Sequence, residues 1–358
     1  MERLEMKKIL ITGGCGFIGS NLAVTLRSEG YQITCFDNLS RRGSEILRKR
    51  IQMNGCQFIK GDIRNKEDLK KLKKRFDLMI ECSAEPSVLM GSKGSDAWFL
   101  IENNLIGSVN CFEFCRENRL SVIFLSTSRV YPYDIINRCK FRELPIRYEY
   151  ADNVTGISRK GISVNFLLNG HRSLYGATKL ASEYILREYS YQYGIPSIIN
   201  RCGIIAGPWQ LGKVDQGVFT YWMANHYFKK TLRYIGFGGK GKQVRDLLHV
   251  DDLVTLVRKQ IKRIEDYRGE VFNVGGGRFS NISLLETSKL CEEITGNKIK
   301  IGQDLRARPA DIKWFITDNG VTGSEFGWKP QKQPKDILVD TYDWLNKHDK
   351  EFKKILIG

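Results

Sequence analysis

KILITGGCGFIGS, residues 8–20, is the stretch that decides the fold of this chain. Residues 8–12 form an apolar run short enough to make a single buried strand. Glycines follow at positions 13, 16 and 19, where they permit a tight turn and close packing of a helix on the strand. The helix is expected to run to Glu29 and to end at Gly30. The stretch therefore predicts a strand–turn–helix unit at the start of an α/β fold.

Apolar strands and helices continue to alternate through the first half of the chain. Predicted strands cover residues 32–37, 56–62, 78–82, 121–125 and 197–200, and predicted helices cover residues 103–118 and 173–193. Near-continuous apolar strands between helices are typical of a parallel sheet that is buried on both faces. We therefore predict an α/β fold with a Rossmann-like, doubly wound parallel sheet. From about residue 203 the pattern loosens.

Two later stretches carry further expectations. Residues 247–264 are predicted to form a helix after a short strand, with Asp251 or Asp252 as the N-cap. The connection from residue 132 to residue 172 shows no clear periodicity. We expect it to be a functional loop that lies over the substrate, because loops of this length in compact enzymes commonly do so.

Lysine and arginine outnumber aspartate and glutamate by 57 to 40, which gives a formal net charge of +17. Such a balance can indicate a polyanionic partner. The basic residues are spread along helices, however, and do not alternate with aromatic residues as in nucleic-acid motifs. We therefore predict no nucleic-acid partner. Most of these residues are interpreted as solvated helix faces, and a minority as favouring an anionic small substrate.

The cysteines and the apolar segments bear on the cellular compartment. The nine cysteines are scattered, with no Cys-x-x-Cys pair and no Cys/His cluster, so neither a disulfide framework nor a metal site is predicted. No apolar run approaches the length of a membrane span, and residues 1–8 leave no room for a signal peptide before the first strand. We predict a cytoplasmic protein with no membrane partner.

The glycine turn is also typical of dinucleotide binding. It lets the backbone approach a pyrophosphate, and the N-terminus of the following helix faces the phosphates. Asp37 ends the second predicted strand, where a carboxylate can accept both ribose hydroxyls and repel a 2′-phosphate. NAD is therefore the predicted cofactor. Arg41 and Arg42 leave NADP as the alternative, because NADP enzymes use a nearby arginine.

Tyr175 and Lys179 lie four residues apart in the predicted helix 173–193, so their side chains share one face. The ammonium can depress the pKa of the phenol and make a phenolate available as a base. Ser126 and Thr127 end a predicted strand at the edge of the sheet where open α/β sheets bind ligands. A hydroxyl there can bind a sugar oxygen alongside the phenol. The alternatives are an ordinary amphipathic helix and strand-end hydroxyls that satisfy a turn.

These motifs together resemble the extended short-chain dehydrogenase/reductase family of nucleotide-sugar epimerases and dehydratases. The likeness covers nearly the whole chain. It rests on residues 12–19, Asp37-Asn38, Gly61-Asp62, Asn104, Thr127 and Tyr175-x-x-x-Lys179. In the C-terminal part, residues 241–252 resemble the family's sugar-nucleotide domain, and Arg308-Pro309-Ala310-Asp311 resembles its second phosphate-binding arginine.

The resemblance implies a role for each site residue. Tyr175 is implied to be the base, Thr127 to orient the reacting hydroxyl and Lys179 to hold the nicotinamide ribose. The implied NAD-binding residues are Gly13, Gly16, Phe17, Ile18, Gly19, Asp37, Asn38, Ser40, Arg41, Asp62, Ile63, Ala84, Asn104, Tyr175 and Lys179. The implied substrate-binding residues are Glu85, Ser126, Thr127, Gln216, Gln243, Arg245 and Arg308. The two arginines suit a pyrophosphate, although Arg308 could instead form a surface ion pair with Asp311.

The resemblance also implies two domains and a partner. The NAD-binding Rossmann domain would comprise residues 1–202 and 244–274. The smaller C-terminal α/β domain, which would bind the nucleotide-sugar substrate, would comprise residues 203–243 and 275–358. A nucleotide sugar is the expected substrate, and a homo-oligomer, either a dimer or a tetramer, is the expected assembly.

Departures from the family pattern narrow the chemistry. Sugar-nucleotide 4,6-dehydratases carry Asp-Glu directly after the catalytic threonine, because elimination needs an acid and a base beside C5 and C6. This chain has Ser128 and Arg129 there, and it also lacks the glutamate that decarboxylases keep. In the Arg-x-x-Asn-x-x-Gly-Pro stretch of the family, Ile204 replaces the asparagine, which changes the standard sugar contact. Hydride transfer is the chemistry that remains.

We therefore expect NAD-dependent epimerisation of a nucleotide-activated hexose, by transient oxidation to a keto-sugar and re-reduction. Residues 37–44 and 214–217 resemble the branch of the family that epimerises C2 of CDP-linked sugars. A UDP-sugar 4-epimerase, which uses the same parts, is the alternative. A non-catalytic NAD-sensing protein on the same fold is a second alternative, although such proteins commonly lack the Tyr/Lys pair.

Overall fold

The computed structural model describes residues 7–72, 75–91, 96–212, 216–306 and 308–357. Its strands are β1 (Lys8–Thr12), β2 (Gln32–Asp37), β3 (Gln57–Lys60), β4 (Leu78–Glu81), β5 (Ser121–Thr127), β6 (Phe141–Glu143), β7 (Tyr148–Tyr150), β8 (Ile157–Ser158), β9 (Gly161–Ile162), β10 (Ser197–Cys202), β11 (Ile204–Ala206), β12 (Leu232–Ile235), β13 (Val244–His249), β14 (Arg268–Val274), β15 (Asn281–Ser283), β16 (Ile301–Asp304) and β17 (Trp314–Phe315). Its helices are α1 (Phe17–Ser28), α2 (Ser44–Met53), α3 (Lys66–Lys70), α4 (Ala97–Ile101), α5 (Gly107–Asn118), α6 (Tyr133–Arg138), α7 (Leu174–Tyr193), α8 (Val218–Tyr227), α9 (Val250–Arg263), α10 (Leu284–Thr295), α11 (Gly320–Phe326) and α12 (Pro334–Ile357).

The central sheet has seven strands in the order β14-β10-β5-β4-β1-β2-β3, and all of its pairings are parallel. Successive side chains of a strand point to opposite faces, and β1 shows this directly. Ile9 and Ile11 belong to an apolar cluster with residues of α1 and α9, whereas Leu10 belongs to a second cluster with residues of α5 and α7. The sheet is therefore covered by helices on both faces, and the predicted fold class is confirmed.

A second, smaller layer lies beyond the carboxyl ends of the central strands. It is a four-stranded sheet in which β13 pairs with β11, β15 and β17. Helices α8, α10 and α12 pack together into a third apolar cluster that includes Phe219, Trp222, Cys291 and Trp344. Thus β13 lies in the second sheet, while α9 and β14, which follow it in the chain, belong to the first layer. The exact domain limits remain a prediction.

The stretch from residue 132 to residue 172 is more ordered than the sequence pattern suggested. It contains α6 and two short antiparallel hairpins, β6–β7 and β8–β9. The backbone N–H of Ile162 donates to the Ile316 carbonyl at 2.7 Å, and that of Tyr148 donates to the Lys242 carbonyl at 3.0 Å. The segment therefore has secondary structure of its own, and its position over the substrate remains a prediction. Strands this short carry too few residues to show a period.

Two helices differ in detail from their predictions. The helix predicted at 103–118 begins earlier, at Ala97, and passes through a π-helical turn at Glu102–Ile106 before α5. Helix α9 is capped by His249, whose side chain accepts a hydrogen bond from the Asp251 N–H at 3.0 Å, so the predicted Asp caps are wrong. Each of the nine cysteines is a free thiol. In the described part of the chain no helix is both long and apolar enough to cross a membrane.

Candidate active site

A cleft of about 1130 Å³ opens at the carboxyl ends of the parallel strands, between the two layers. Most residues predicted for the site line this cleft. They are Gly13, Gly16, Phe17, Ile18, Gly19, Asp37, Asn38, Ser40, Arg41, Ile63, Ala84, Glu85, Ser126, Thr127, Tyr175, Lys179, Gln216, Gln243, Arg245 and Arg308. The structure therefore brings together, from both layers, side chains that lie almost 300 positions apart in the chain. Val214 and Asp215, which are part of the resemblance, lie outside the described residues.

Two predicted residues lie behind the cleft wall and support it. Asn104 accepts a hydrogen bond from the Glu85 N–H at 2.8 Å and donates to the Glu85 carbonyl at 2.9 Å. Asp62 accepts from the Asn38 side-chain amide at 3.0 Å and also pairs with Arg64. Burial opposes ionisation of Asp62, but these hydrogen bonds outweigh it and hold its pKa at about 2.

The glycine turn has no room for side chains. A Cβ atom at Gly19 would lie 2.3 Å from the Gly13 carbonyl oxygen, and one at Gly14 would lie 2.5 Å from Cys35 Cβ. Gly13 has φ +62°, a left-handed conformation in which glycine carries no steric cost. The turn thus presents bare backbone at the N-terminus of α1, which suits a pyrophosphate. Gly14 was not singled out from the sequence, because its requirement comes from packing on β2.

Asp37 stands at the end of β2 beside this turn. Its carboxylate accepts hydrogen bonds from the Cys15 N–H at 3.0 Å and the Leu39 N–H at 2.8 Å. Burial raises its pKa, and these two hydrogen bonds oppose the increase. Two backbone donors leave further lone pairs on the two oxygens, so the group retains acceptor capacity for ribose hydroxyls. The turn and this carboxylate together fit NAD.

A chain of side-chain hydrogen bonds crosses the cleft. Arg41 donates to Gln216 Oε1, and Gln216 Nε2 donates to Glu85 Oε1 at 2.7 Å. Arg41 was predicted to bind cofactor, whereas Gln216 and Glu85 were predicted to bind substrate. The three therefore form one unit at the junction of the cofactor and substrate ends of the cleft. Their individual ligand contacts remain predictions.

Helix α7 presses Tyr175 against the end of β5. A Cβ atom at Gly176 would lie 2.1 Å from the Arg129 carbonyl oxygen, so only glycine allows this approach. The helix is capped by Ser173, whose hydroxyl accepts from the Gly176 N–H at 3.2 Å. Tyr175 is buried and hydrogen-bonds Thr127. The predicted base and its orienting hydroxyl are thus in contact.

The charge around Tyr175 differs from the prediction. Burial raises the pKa of Tyr175 to about 12, while the hydrogen bond with Thr127 and the charge of Arg129 act in the opposite direction. Lys179, which was expected to depress this pKa, has its ammonium 3.7 Å from a carboxylate oxygen of Glu81. The expectation of a lowered pKa is therefore wrong, because burial of the phenol outweighs the groups that lower its pKa. The Glu81 carboxylate was not identified from the sequence.

Ser126 has a different partner from its neighbour Thr127. Its hydroxyl donates to Glu183, which forms a buried ion pair with Arg201 at 2.7 Å. Arg201 in turn donates to the Tyr131 hydroxyl at 3.2 Å. In this structure Ser126 thus anchors β5 to α7, and a sugar contact from its hydroxyl remains a prediction.

The substrate end of the cleft is cationic. Arg245 pairs with Asp311 at 2.8 Å, and burial lowers the pKa of Arg245 to about 10 while Asp311 opposes the decrease. Asp311 therefore pairs with Arg245, whereas the sequence named it only as an alternative partner for Arg308. Gln243 is buried, and its amide donates to the Ile235 carbonyl at 2.8 Å. Two basic residues that no motif indicated, Lys230 and Arg233, also line this end.

Arg129 occupies the position where a dehydratase carries an acid. Its guanidinium lines the cleft and donates to the Ala310 carbonyl at 2.9 Å. Ala310 itself has φ +56°, in the loop that carries Arg308. Arg129 therefore ties the end of β5 to the loop that is predicted to bind phosphate.

Comparisons with known proteins agree with this geometry and with the predicted family and cofactor. The NAD dependent epimerase/dehydratase family matches residues 9–275. The CDP-paratose 2-epimerase of Salmonella typhi is 30% identical over 95% of this chain and 99% of its own length. The UDP-glucose 4-epimerase of Neisseria meningitidis serogroup B is 26% identical over 95% of this chain and 98% of its own. The structure of Bacillus cereus UDP-glucuronic acid 4-epimerase, in complex with UDP-glucuronic acid and NAD, is 26% identical, with a TM-score of 0.77 over 95% of this chain and 99% of that one. The chain therefore belongs to the NAD dependent epimerase/dehydratase family, and it is an enzyme that uses NAD and acts on a nucleotide sugar.

Proposed function

We propose that this enzyme epimerises a nucleotide-activated hexose, and that the reaction takes place at C2 of a CDP-sugar. Bound NAD supplies reversible hydride transfer. Tyr175 takes the proton from the reacting hydroxyl and later returns it, and Thr127 orients that hydroxyl. The keto-sugar then rotates within the cleft and presents its other face to the cofactor. Asp37 and the glycine turn would hold the cofactor, and Arg245 and Arg308 would hold the substrate pyrophosphate.

The observation that favours epimerisation over dehydration is the side chain of Arg129. Elimination across C5 and C6 needs an acid and a base beside those carbons, and a guanidinium is effectively always protonated. Arg129 is also fixed by its hydrogen bond to the Ala310 carbonyl. Ser128, which directly follows Thr127, carries a hydroxyl group that lacks the acidity of a carboxyl group. The site is thus equipped for oxidation and re-reduction at one carbon, and a 4-keto-6-deoxy sugar should not be formed.

Two observations support C2 and a CDP-sugar. The relative with 30% identity over 95% of this chain is a CDP-paratose 2-epimerase. In addition, Ile204 lines the cleft where the family pattern has an asparagine, so the amide contact with the sugar is missing. Without that contact, a sugar rotated relative to the usual pose could present its C2 oxygen to Thr127 and Tyr175.

The test uses a CDP-hexose deuterated at C2, incubated with the NAD-loaded enzyme and followed by NMR. We expect the C2 epimer with its deuterium retained, because the label would leave and return within the closed cleft. Loss of the label to water would indicate deprotonation beside a carbonyl and would contradict the mechanism. Formation of a 4-keto-6-deoxy sugar from CDP-glucose or UDP-glucose would refute epimerisation altogether.

A UDP-sugar 4-epimerase is the second candidate. It is favoured by the UDP-glucose 4-epimerase relative, which is 26% identical over 95% of this chain. The same Tyr175 and Thr127 would act on the C4 hydroxyl. A galacto-configured product from UDP-glucose, with no change at C2, would assign the enzyme to this activity. The predicted homo-oligomer and cytoplasmic location remain predictions for either function.

A further inference from the structure

Arg129 lies where the end of β5 meets the loop that carries Arg308. Its backbone N–H donates to Thr127 Oγ1 at 3.2 Å. Its guanidinium lines the cleft, and Nη1 donates to the Ala310 carbonyl at 2.9 Å. A guanidinium has several N–H donors, so this bond leaves others available to a ligand. Arg129 thus offers a positive charge to the cleft beside the hydroxyl that is predicted to orient the sugar.

The loop that carries Arg308 links this guanidinium to a second one. The Asp311 N–H donates to the Arg308 carbonyl at 3.2 Å, which closes a turn. Within the turn Ala310 has φ +56°, a conformation that is uncommon for a residue with a side chain, and its carbonyl is the group that accepts from Arg129. The side chain of Asp311 pairs with Arg245 at 2.8 Å. A continuous set of contacts therefore runs from Arg129 to Arg245.

This end of the cleft holds more positive than negative charge. Burial lowers the pKa of Arg129 and of Arg245, and the charge of Asp311 opposes the decrease at both. Asp311 forms its ion pair with Arg245, and within the described part of the chain Arg129 forms no ion pair of its own. Arg308 adds a third guanidinium to the cleft wall. Because charges removed from water are costly unless they are paired, this arrangement favours an anionic ligand such as the diphosphate of a nucleotide sugar.

Arg129 differs from the other two arginines in its closeness to the reacting groups. Its carbonyl oxygen lies at the packing contact with Gly176, which follows Tyr175, and its charge reaches the Tyr175 phenol. The phosphate that is linked to the sugar must lie nearer to that phenol than the phosphate linked to the nucleoside does. Arg129 is therefore placed for the first of these phosphates, whereas Arg245 and Arg308 can hold the rest of the diphosphate.

We propose that Arg129 binds the phosphate that is linked to the sugar, and that it thereby brings the C2 side of the sugar to Thr127 and Tyr175. The C2 oxygen is separated from this phosphate by fewer bonds than the C4 oxygen is, so a phosphate held next to Thr127 favours reaction at C2. This inference rests on the proposed function in taking Tyr175 as the base and C2 as the reacting carbon.

The main test compares CDP with CMP, which lacks the terminal phosphate, in calorimetric titrations of the NAD-loaded enzyme. Arg129→Gln removes the positive charge. We expect this variant to bind CDP at least about tenfold more weakly than the unmodified enzyme does, because hydrogen bonds between charged groups are among the strongest, and to bind CMP equally well. Equal losses for both nucleotides would mean a structural role, and an unchanged affinity for CDP would exclude contact with the phosphate. Either result would overturn the proposal.

Two further variants keep the test decisive. Arg27→Gln is the matched control, because the Arg27 guanidinium also donates to a backbone carbonyl, that of Gly55 at 3.0 Å, away from the residues that line the cleft. Both of its affinities should stay unchanged. Arg129→Lys covers the case in which Arg129→Gln does not fold. It identifies the Arg129 Nε signal in NMR spectra of protein with ¹⁵N-labelled arginine. This signal should move when CDP is added and stay in place with CMP, and no movement with CDP would overturn the proposal.

The positioning of the sugar has a separate readout. With a CDP-hexose deuterated at C2, Arg129→Gln should lose kcat as well as affinity, because a sugar whose phosphate is not held reaches Tyr175 less often. A weaker affinity with an unchanged kcat would overturn this part of the proposal. If the substrate carries uridine, UDP and UMP replace CDP and CMP in the titrations. The titrations need no turnover, so failure of the proposed function would appear separately, as absence of a C2 epimer with the unmodified enzyme.

Discussion

Asp37 should make the enzyme select NAD over NADP. The carboxylate is fixed beside the glycine turn by the Cys15 and Leu39 N–H groups. A ribose that it binds would place a 2′-phosphate within about 5 Å of its charge. At that distance each pair of unit charges interacts by about 3 kcal/mol at an effective dielectric constant of about 20. The repulsion therefore corresponds to a preference for NAD of at least about 10²-fold. Arg41 donates to Gln216 across the cleft, and the alternative is that Arg41 or Arg42 offsets the repulsion by binding the 2′-phosphate.

The assay is calorimetric titration of protein freed of nucleotide with NAD and with NADP. Asp37→Asn removes the charge and keeps the shape of the side chain. The preference of this variant for NAD over NADP should therefore fall to roughly tenfold or less. Its affinity for NAD should also drop, since hydrogen bonds to a charged acceptor are worth about 1.5–3 kcal/mol. Asp77→Asn is the matched control, because Asp77 accepts from the Lys8 N–H at 2.7 Å far from the cleft. Equal affinities of the unmodified enzyme for NAD and NADP would refute this reasoning about Asp37.

Two further predictions concern the base and the stability at acid pH. Tyr175→Phe should bind NAD normally but lose at least about 10²-fold in kcat, the usual cost of losing a general base, and near-normal turnover would contradict the mechanism. Asp62 has its pKa lowered to about 2, so it stabilises the fold above the ordinary pKa of aspartate, and this contribution is lost as the pH falls toward 2. In urea unfolding at pH 7 and pH 3, Asp62→Asn should therefore lose less stability between the two pH values than the unmodified protein does. An equal loss in both proteins would mean that the Asp62 hydrogen bonds contribute nothing.

The sequence predicted the central layer well because its signals are local. Apolar runs such as residues 8–12 and 121–125 mark buried strands, and β1 and β5 are found there. The motifs that carry chemistry follow these strands directly, and parallel strands end at one edge of a sheet. For this reason Gly13, Asp37 and Thr127 meet in one cleft although each was recognised separately.

What the sequence did not reveal depends on contacts between distant elements. Glu81 became visible only as the partner of Lys179, and Asp311, although it was named from the sequence, was not expected to pair with Arg245. Glu81 belongs to no spacing pattern, and a buried glutamate at a strand end looks like any other residue of an apolar strand. The raised pKa of Tyr175 also depends on distant elements, because its cause is the burial of the phenol. Helical spacing placed Lys179 one turn from Tyr175, but it could not show that the ammonium lies beside Glu81.

In this site the spacing between β5 and α7 is fixed by the backbone, whereas the chemistry next to Thr127 depends on a side chain. Gly176 packs directly on the Arg129 carbonyl, so the distance between the end of β5 and the start of α7 is set by main-chain contact. Thr127 and Tyr175 are attached to these two elements, so the distance between them follows from the main-chain contact and not from the side chain at position 129. The side chain of Arg129, by contrast, points to the Ala310 carbonyl and makes no part of this contact. An acid at this position could supply elimination chemistry on the same backbone, whereas the proposed epimerisation requires only that a proton and a hydride move at one carbon.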